Sequence, residues 1–313
     1  MSVFLSYDFI KELLGATVRM ATPLLLVALA ETLSERAGLV NIGLDGLMSI
    51  GALMGFLVGY TTGNAWLGIL AAMVSGIAVN MIFAFNTVTL CADQVVYGMA
   101  TNILAPALAS FIYRLSFSDT TTLIQGVSMG TLAIPGLSKI PLVGEVFFNQ
   151  SPVSYIAFLL VPVIAIFFNK TQKGLNYKAV GEYPKAAETM GINVIKIKYL
   201  ACVLCGALAG AGGAFLTLCY TSTYSEGIVA GRGFIALSAV IFGRWLPSGV
   251  MWACVLFGFF DALQIRLQLV SPNVPYQFFQ MIPYIFTLLA LIFLGIKKAG
   301  PKSNGQPYYR EER

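Results

Sequence analysis

Residues 46–92 read "GLMSIGALMGFLVGYTTGNAWLGILAAMVSGIAVNMIFAFNTVTLCA" and contain no Asp, Glu, Lys or Arg. A helix rising 1.5 Å per residue needs about 20 apolar residues to cross a hydrocarbon layer ~30 Å thick. This one stretch is therefore long enough for two crossings. A buried core helix would account for one such run, but apolar runs recur along the whole chain. Of 313 residues, 58% are hydrophobic and 11% charged, against about 25% charged in a soluble domain, and the mean hydropathy is +0.80. The expected fold is all-α: a polytopic transmembrane helical bundle of about eight to ten spans within one domain, 1–313.

The spans read as 12–33, 39–61, 66–90, 94–115, 152–169, 199–220, 232–246, 249–269 and 276–296. The segment 232–246 is short for a full crossing. Met20–Ala30 has the look of a signal-peptide core, but Asp8 and Glu12 stand beside Lys11 and Arg19 before it, so an uncleaved first membrane helix fits better. Eleven of the 19 Lys and Arg residues lie in 170–198 and 297–313. Basic residues gathered in short loops beside spans mark the cytoplasmic face, which predicts a cytoplasmic loop over 170–198 and a cytoplasmic basic tail over 297–313. Segments 221–233 and 271–277 then lie outside, as does the proline-punctuated stretch 116–151. Five passes precede the cytoplasmic loop, which places the N-terminus outside unless 39–61 is a broken helix.

The formal net charge of +5 does not point to nucleic acid. The cations sit beside spans, and the central basic stretch offers mainly Tyr177 and Tyr183 as aromatic partners. The chain has no histidine. Cys202 and Cys205 have the spacing of a redox or zinc pair but lie in an apolar run without a second pair, and read as packing residues. Gly51, Gly55 and Gly59 form a ladder of small residues every four positions, as do Gly206 and Gly210, a pattern that lets helices approach closely in lipid.

Residues 179–192, "AVGEYPKAAETMGI", stand out as soluble in character. Pro184 suits a first helical position, Lys185–Met190 are mostly good helix formers, and Gly191 suits a left-handed stop. Gly181 permits a bend before it. The result is a helix of about two turns, unstable alone and needing the membrane interface or a partner to hold it.

These residues, together with "ETLSERAGLVNIGLDGLMSIGAL" (31–53), "DQVVYGMATNIL" (93–104) and "GRGFIALSAVIFGRWLPSG" (231–249) followed by "FGFFDALQIRLQ" (257–268), resemble the permeases of bacterial ABC importers. The nearest match is the nucleoside branch of the group that includes simple-sugar and branched-chain amino-acid permeases, and the similarity runs in order through nearly the whole chain. Asp45, where relatives often carry Glu, and Tyr97, where a small residue is usual, depart from the pattern. The resemblance implies a multi-pass permease of the bacterial cytoplasmic membrane. Its implied partners are a second related permease (a heterodimer), an ATP-binding subunit and an extracytoplasmic substrate-binding lipoprotein. It also implies that 179–192 is a coupling helix seated in the ATP-binding subunit, with Gly181, Glu182, Pro184, Ala187 and Gly191 matching the family pattern. The chain has no GxxxxGK[ST] loop to cradle phosphates, so ATP hydrolysis falls to another subunit and no cofactor is expected on this one.

Polar side chains inside a bilayer are costly and usually face the bundle interior. Asp261, Gln264 and Gln268 are spaced i, i+3 and i+7 on one helical face, with Arg266 pointing elsewhere towards the outer surface. Asn41 and Asp45 would be one turn apart, with Asn80 and Asn102 as further buried amides. Either these groups line a translocation path or they hydrogen-bond helices together. Asp93 reads as an N-cap, and Glu31, Glu35 and Arg36 as an anchor at the end of the first span. Tyr97, Phe259 and Phe260 are the aromatics nearest the polar positions. An ion-coupled carrier would need ionisable groups at mid-span, for which Asp261 and Asp45 are the candidates. An intramembrane enzyme would need a nucleophile with its base or a metal set, and the sequence offers neither.

Overall fold

The computed structural model describes residues 7–117, 124–135, 143–270 and 300–309, with isolated positions at 277, 278, 281 and 285. The expected span 276–296, most of the 271–277 loop, and Lys297, Lys298, Arg310 and Arg313 of the basic tail lie outside the described residues. Among the described residues eleven helices follow in order: α1 Tyr7–Arg36, α2 Leu44–Thr62, α3 Ala65–Ala84, α4 Gln94–Ser116, α5 Val143–Phe147, α6 Pro152–Lys170, α7 Gln172–Glu182, α8 Pro184–Thr189, α9 Val194–Phe215, α10 Arg232–Phe242 and α11 Pro247–Val270. Helices α3 and α9 each continue through a π-helical turn, Phe85–Thr89 and Leu216–Tyr220. Two short strands, β1 Leu132–Ala133 and β2 Asn149–Gln150, pair antiparallel in the long connection before α6.

Seven of these helices are long and apolar enough to cross a membrane: α1, α2, α3, α4, α6, α9 and α11. Seven such helices make the chain multi-pass. The segment 232–246 differs from expectation. Its helix stops at Phe242, and eleven residues give only about 16 Å. Helix α10 is therefore a half-span that begins beside the first turn of α2.

The helix starts are written in the sequence. Asn64, Asp93, Ser151, Thr171 and Asn193 each occupy an N-cap, where a side-chain oxygen accepts an amide of the first turn. Asp93 accepts from Val95 and Val96 at 2.8 and 3.0 Å, the role expected of it. Helix α2 has no such cap. It is preceded by the buried, non-helical segment 37–43, and that segment's backbone groups must find partners inside the bundle.

The glycine ladders explain the packing. A Cβ on Gly51 would come within 2.3 Å of the Gly210 carbonyl oxygen, and one on Gly55 within 2.8 Å of the Ala214 Cβ, so α2 and α9 run in parallel backbone against backbone. On another side of α9, a Cβ on Gly76 would meet the Gly206 carbonyl oxygen at 2.2 Å, and one on Gly210 would meet that of Ala72 at 2.2 Å, so α3 runs antiparallel. Close approach of this kind replaces the hydrophobic driving force that lipid removes. Helix α1 is the central element, with Leu24 to Ala30 all buried, and packs against α9, α10 and α11. Cys202 and Cys205 are buried free thiols, as expected of packing residues.

Candidate coupling surface and polar path

Helix α8 is a knob at one end of the bundle. Pro184 stands at its first position, where its missing amide hydrogen has no helical partner to lose. Its N-cap, Tyr183, makes no side-chain capping bond, whereas its end is fully specified. Gly191 has φ +80°, its amide donates to Glu188 O at 2.9 Å, and the Ile192 amide donates to Ala187 O at 3.1 Å. This bond pair is the Schellman stop that a left-handed glycine permits. Ala187 is buried against Val180, Val194 and Tyr308, while Lys185, Ala186, Thr189 and Met190 face outward.

The knob is joined to the end of α1 through α7. The Tyr177 hydroxyl donates to Leu33 O at 2.7 Å. Gly181, the bend before α8, is buried so closely that a Cβ on it would meet Arg36 O at 2.2 Å. Glu182 is the last residue of α7 and is half-buried.

The segment 300–309, expected only as a basic tail, is part of this assembly. Ser303 donates to Gly181 O from its amide at 3.0 Å and its hydroxyl at 2.6 Å. The Asn304 side-chain amide donates to Glu35 at 2.7 Å, and the Tyr308 hydroxyl donates to Glu188. Lys302 donates to the Tyr183 hydroxyl with its ammonium 4.7 Å from the ring centroid, and this hydrogen bond raises the Lys302 pKa above its ordinary value. Two adjacent tyrosines in an otherwise polar stretch, "NGQPYYR", were the available signal.

The anchor expected at the end of the first span exists. Glu35 accepts from Trp245 Nε1, and Arg36 donates to Trp245 O from Nε and Nη2 at 3.1 and 3.0 Å. Glu31 accepts from the Asn41 amide at 2.8 Å. The α10–α11 turn and the 37–43 segment are thereby tied to the same helix end.

The polar positions separate into two groups. Asn41 and Asp45 do not share a helical face, because Asn41 precedes α2 in the non-helical segment. Asn41 accepts from the Gly43 amide at 2.9 Å and donates to Asn80 at 2.8 Å, and Asn80 donates to Cys202 O at 2.6 Å. Asn102 accepts from the Gly46 amide at 2.9 Å and donates to Ile42 O at 2.7 Å. Asp45 accepts from the Gly233 amide at 3.0 Å. All three satisfy backbone groups where helices begin inside the bundle.

Asp261, Gln264 and Gln268 on α11 are different. They are half-buried and make no hydrogen bond among the described residues. Arg232, at the start of α10, donates to Ile228 O and Val229 O at 3.0 and 3.2 Å, and its positive charge acts on both Asp45 at the start of α2 and Asp261 on α11. Arg232 was not singled out from the sequence, although an arginine between two glycines at the head of an apolar run was visible there. Arg266 does not stand alone at the surface, since it pairs with Glu12 of α1.

Tyr97 packs beside Leu39, Phe83 and Val88, and Phe259 beside Leu13 and Met20. At the end opposite α8, Phe56, Tyr60, Tyr113, Phe117 and Tyr224 form a contiguous ring cluster, with Tyr113 and Tyr224 centroids 4.6 Å apart. Beside it Arg114 makes two 2.7 Å bonds to Glu226.

Comparison with known proteins gives this geometry a family. The chain is 38% identical to a protein of Haloferax volcanii named putative glucose ABC transporter permease protein TsgC13, over 97% of this chain and 99% of that one. It is 39% identical to the guanosine ABC transporter permease protein NupQ of Bacillus subtilis, over 95% and 96% respectively. Its fold resembles that of a solved structure described as an inward-facing conformation of a putative metal-chelate type ABC transporter. The TM-score is 0.50 at 16% identity, covering 90% of this chain and 84% of the other. The profile of the branched-chain amino acid transport system permease component matches residues 13–293, and the chain belongs to that family of transport permeases.

Proposed function

We propose that this chain is the membrane-spanning permease subunit of an ATP-driven importer of nucleosides. In this reading the α8 end faces the cytoplasm and α8 is the coupling helix that meets a separate ATP-binding subunit. A second related permease completes the pore, and an extracytoplasmic binding protein delivers substrate. The observation that carries the reading is the seating of α7, which leads directly into α8, on the end of α1 through Tyr177 and Gly181, with Ser303 bonded to the same glycine. A push on α8 passes through Gly181 of α7 to Arg36 and, through Trp245, to the α10–α11 turn.

Helices α10 and α11 carry the polar locus of Arg232, Asp261 and Gln264. Its carboxylate, guanidinium and amide can exchange hydrogen bonds with ribose hydroxyls and base edges, while the hydrogen-bonded Asn41 and Asn102 hold the surrounding turns. The guanosine permease relative supports a nucleoside cargo. A second reading, a permease for a simple sugar, is favoured by the equally similar relative named for glucose, and ribose hydroxyls and glucose hydroxyls would use the same donors and acceptors.

The test is uptake in vesicles containing the permease and its co-purifying subunits. Labelled guanosine should accumulate only with ATP inside the lumen equivalent to the cytoplasm, and excess unlabelled nucleosides should compete while glucose should not. Uptake of labelled glucose in place of labelled guanosine would select the sugar reading, and uptake without ATP would favour an ion-coupled carrier.

A further inference from the structure

The exposed face of α8 is too small to be the whole of a docking surface. The helix has six residues and is about 9 Å long. A specific, stable interface buries about 800 Å² on each partner. The outward-facing Lys185, Ala186, Thr189 and Met190 include no aromatic side chain, and even a large aromatic carries only ~150–250 Å². Whatever seats on α8 must therefore extend onto its neighbours on the same face.

Those neighbours belong to the segment 300–309. A single groove runs between the two, with Tyr183, Lys185 and Ala186 on one side and Lys302, Gln306 and Tyr309 on the other. Tyr183 and Tyr309 are 56% and 45% exposed, which makes them the large aromatic surfaces that α8 itself lacks. The segment is also held in place before any partner arrives. Ser303, Asn304 and Tyr308 are each bonded to α7, α1 or α8, so the groove's far wall needs no ordering on contact.

We propose that residues 302–309 form the second half of the surface that receives the ATP-binding subunit, with the subunit straddling the groove between α8 and Tyr309. This rests on the reading of α8 as the coupling helix and extends it to a segment read from sequence only as a topology signal.

The experiment compares two variants of the full transporter, purified from membranes through a tag on the permease. Gln306→Glu combined with Tyr309→Glu alters the groove without touching the three residues that hold the segment. Ala186→Glu alters the exposed face of α8. Both are expected to lower recovery of the ATP-binding subunit at least tenfold while the amount and melting temperature of the permease stay unchanged. In the unsubstituted groove, a photoreactive benzoylphenylalanine at position 306 should form an adduct with the ATP-binding subunit, as should one at position 185. Normal recovery with the tail variant and no adduct from position 306, while the α8 variant loses the subunit and position 185 reacts, would overturn the inference and leave the coupling reading standing. Normal recovery with both variants and no adduct from either position would remove the coupling reading and the inference with it. If the glutamate variants fail to accumulate, the two adduct measurements decide alone.

Discussion

Gly181 lies against Arg36 so closely that a Cβ on it would be 2.2 Å from the Arg36 carbonyl oxygen. The obstacle is backbone, at the end of a helix that runs through the centre of the bundle, and it cannot rotate away as a side chain could. Gly38, with φ +82°, completes the contact from the other side, its α-hydrogen occupying a place where a Cβ would meet Ser303 Oγ at 2.7 Å. Three separated parts of the chain therefore meet where no side chain fits.

Gly181→Ala should destabilise the protein by about 1–3 kcal/mol, the usual range for forced overpacking. It should also weaken uptake more than its effect on protein level explains, because the α8 seat is displaced from α1. Melting temperature in detergent and uptake per unit of inserted protein check the two effects. An unchanged melting temperature would mean that α7 and α1 do not touch as described.

Asn41→Ala would leave the Gly43 amide and the Asn80 side-chain Oδ1 without their partner inside the bundle. Each buried group so orphaned costs about 1–3 kcal/mol. The expected outcome is a marked drop in thermal stability with substrate affinity preserved in the folded fraction. A changed substrate KM at unchanged stability would instead assign Asn41 to the path.

Asp261→Asn combined with Gln264→Leu should act in the opposite way. These side chains make no hydrogen bond among the described residues, so removing their polarity disturbs little structure. If they contact cargo, losing one charge-assisted hydrogen bond of ~1.5–3 kcal/mol slows flux by about tenfold or more. Recovery of the ATP-binding subunit should not change. Initial uptake rates measure the first effect and co-purification the second, and normal flux would reduce the stripe to helix packing.

The pair Arg114–Glu226 predicts a pH and salt dependence at the end opposite α8. Its hydrogen bonds to Arg114 hold the Glu226 carboxyl below the usual carboxylate range. A depressed carboxylate contributes stability above its unfolded value of about 4.3 and loses it as pH falls through the lowered folded value. Arg114→Gln should therefore differ from the parent only slightly near neutrality, because both groups are exposed, and not at all once the pH is well below 4 or the salt is high. Melting curves of both forms across pH and salt test this; a difference that persisted in strong acid would contradict it.

Much of this protein was legible in its sequence because lipid leaves few alternatives. A backbone in hydrocarbon must satisfy its own hydrogen bonds, so uncharged runs of 20 residues become helices wherever they occur. Local signals then fixed their ends: Asp93 as a cap, Pro184 as a first helical residue and Gly191 as a left-handed stop are decided within a few residues of chain. The glycine ladders announced close helix contacts, though not which helices would meet.

What depends on distant partners was not legible. Asn41 and Asp45 have helical spacing, but α2 begins only at Leu44, because Glu31, Asn80 and Asn102 from other helices support the turn before it. Helix α10 is a half-span because Asp45 receives its first turn inside the bundle. Residues 302–308 became part of the α8 assembly through Gly181, Glu35 and Glu188, each more than a hundred positions away. Periodicity and capping are short-range and can be read along a line, whereas the pairing of buried polar groups is settled only when helices far apart in sequence are brought together.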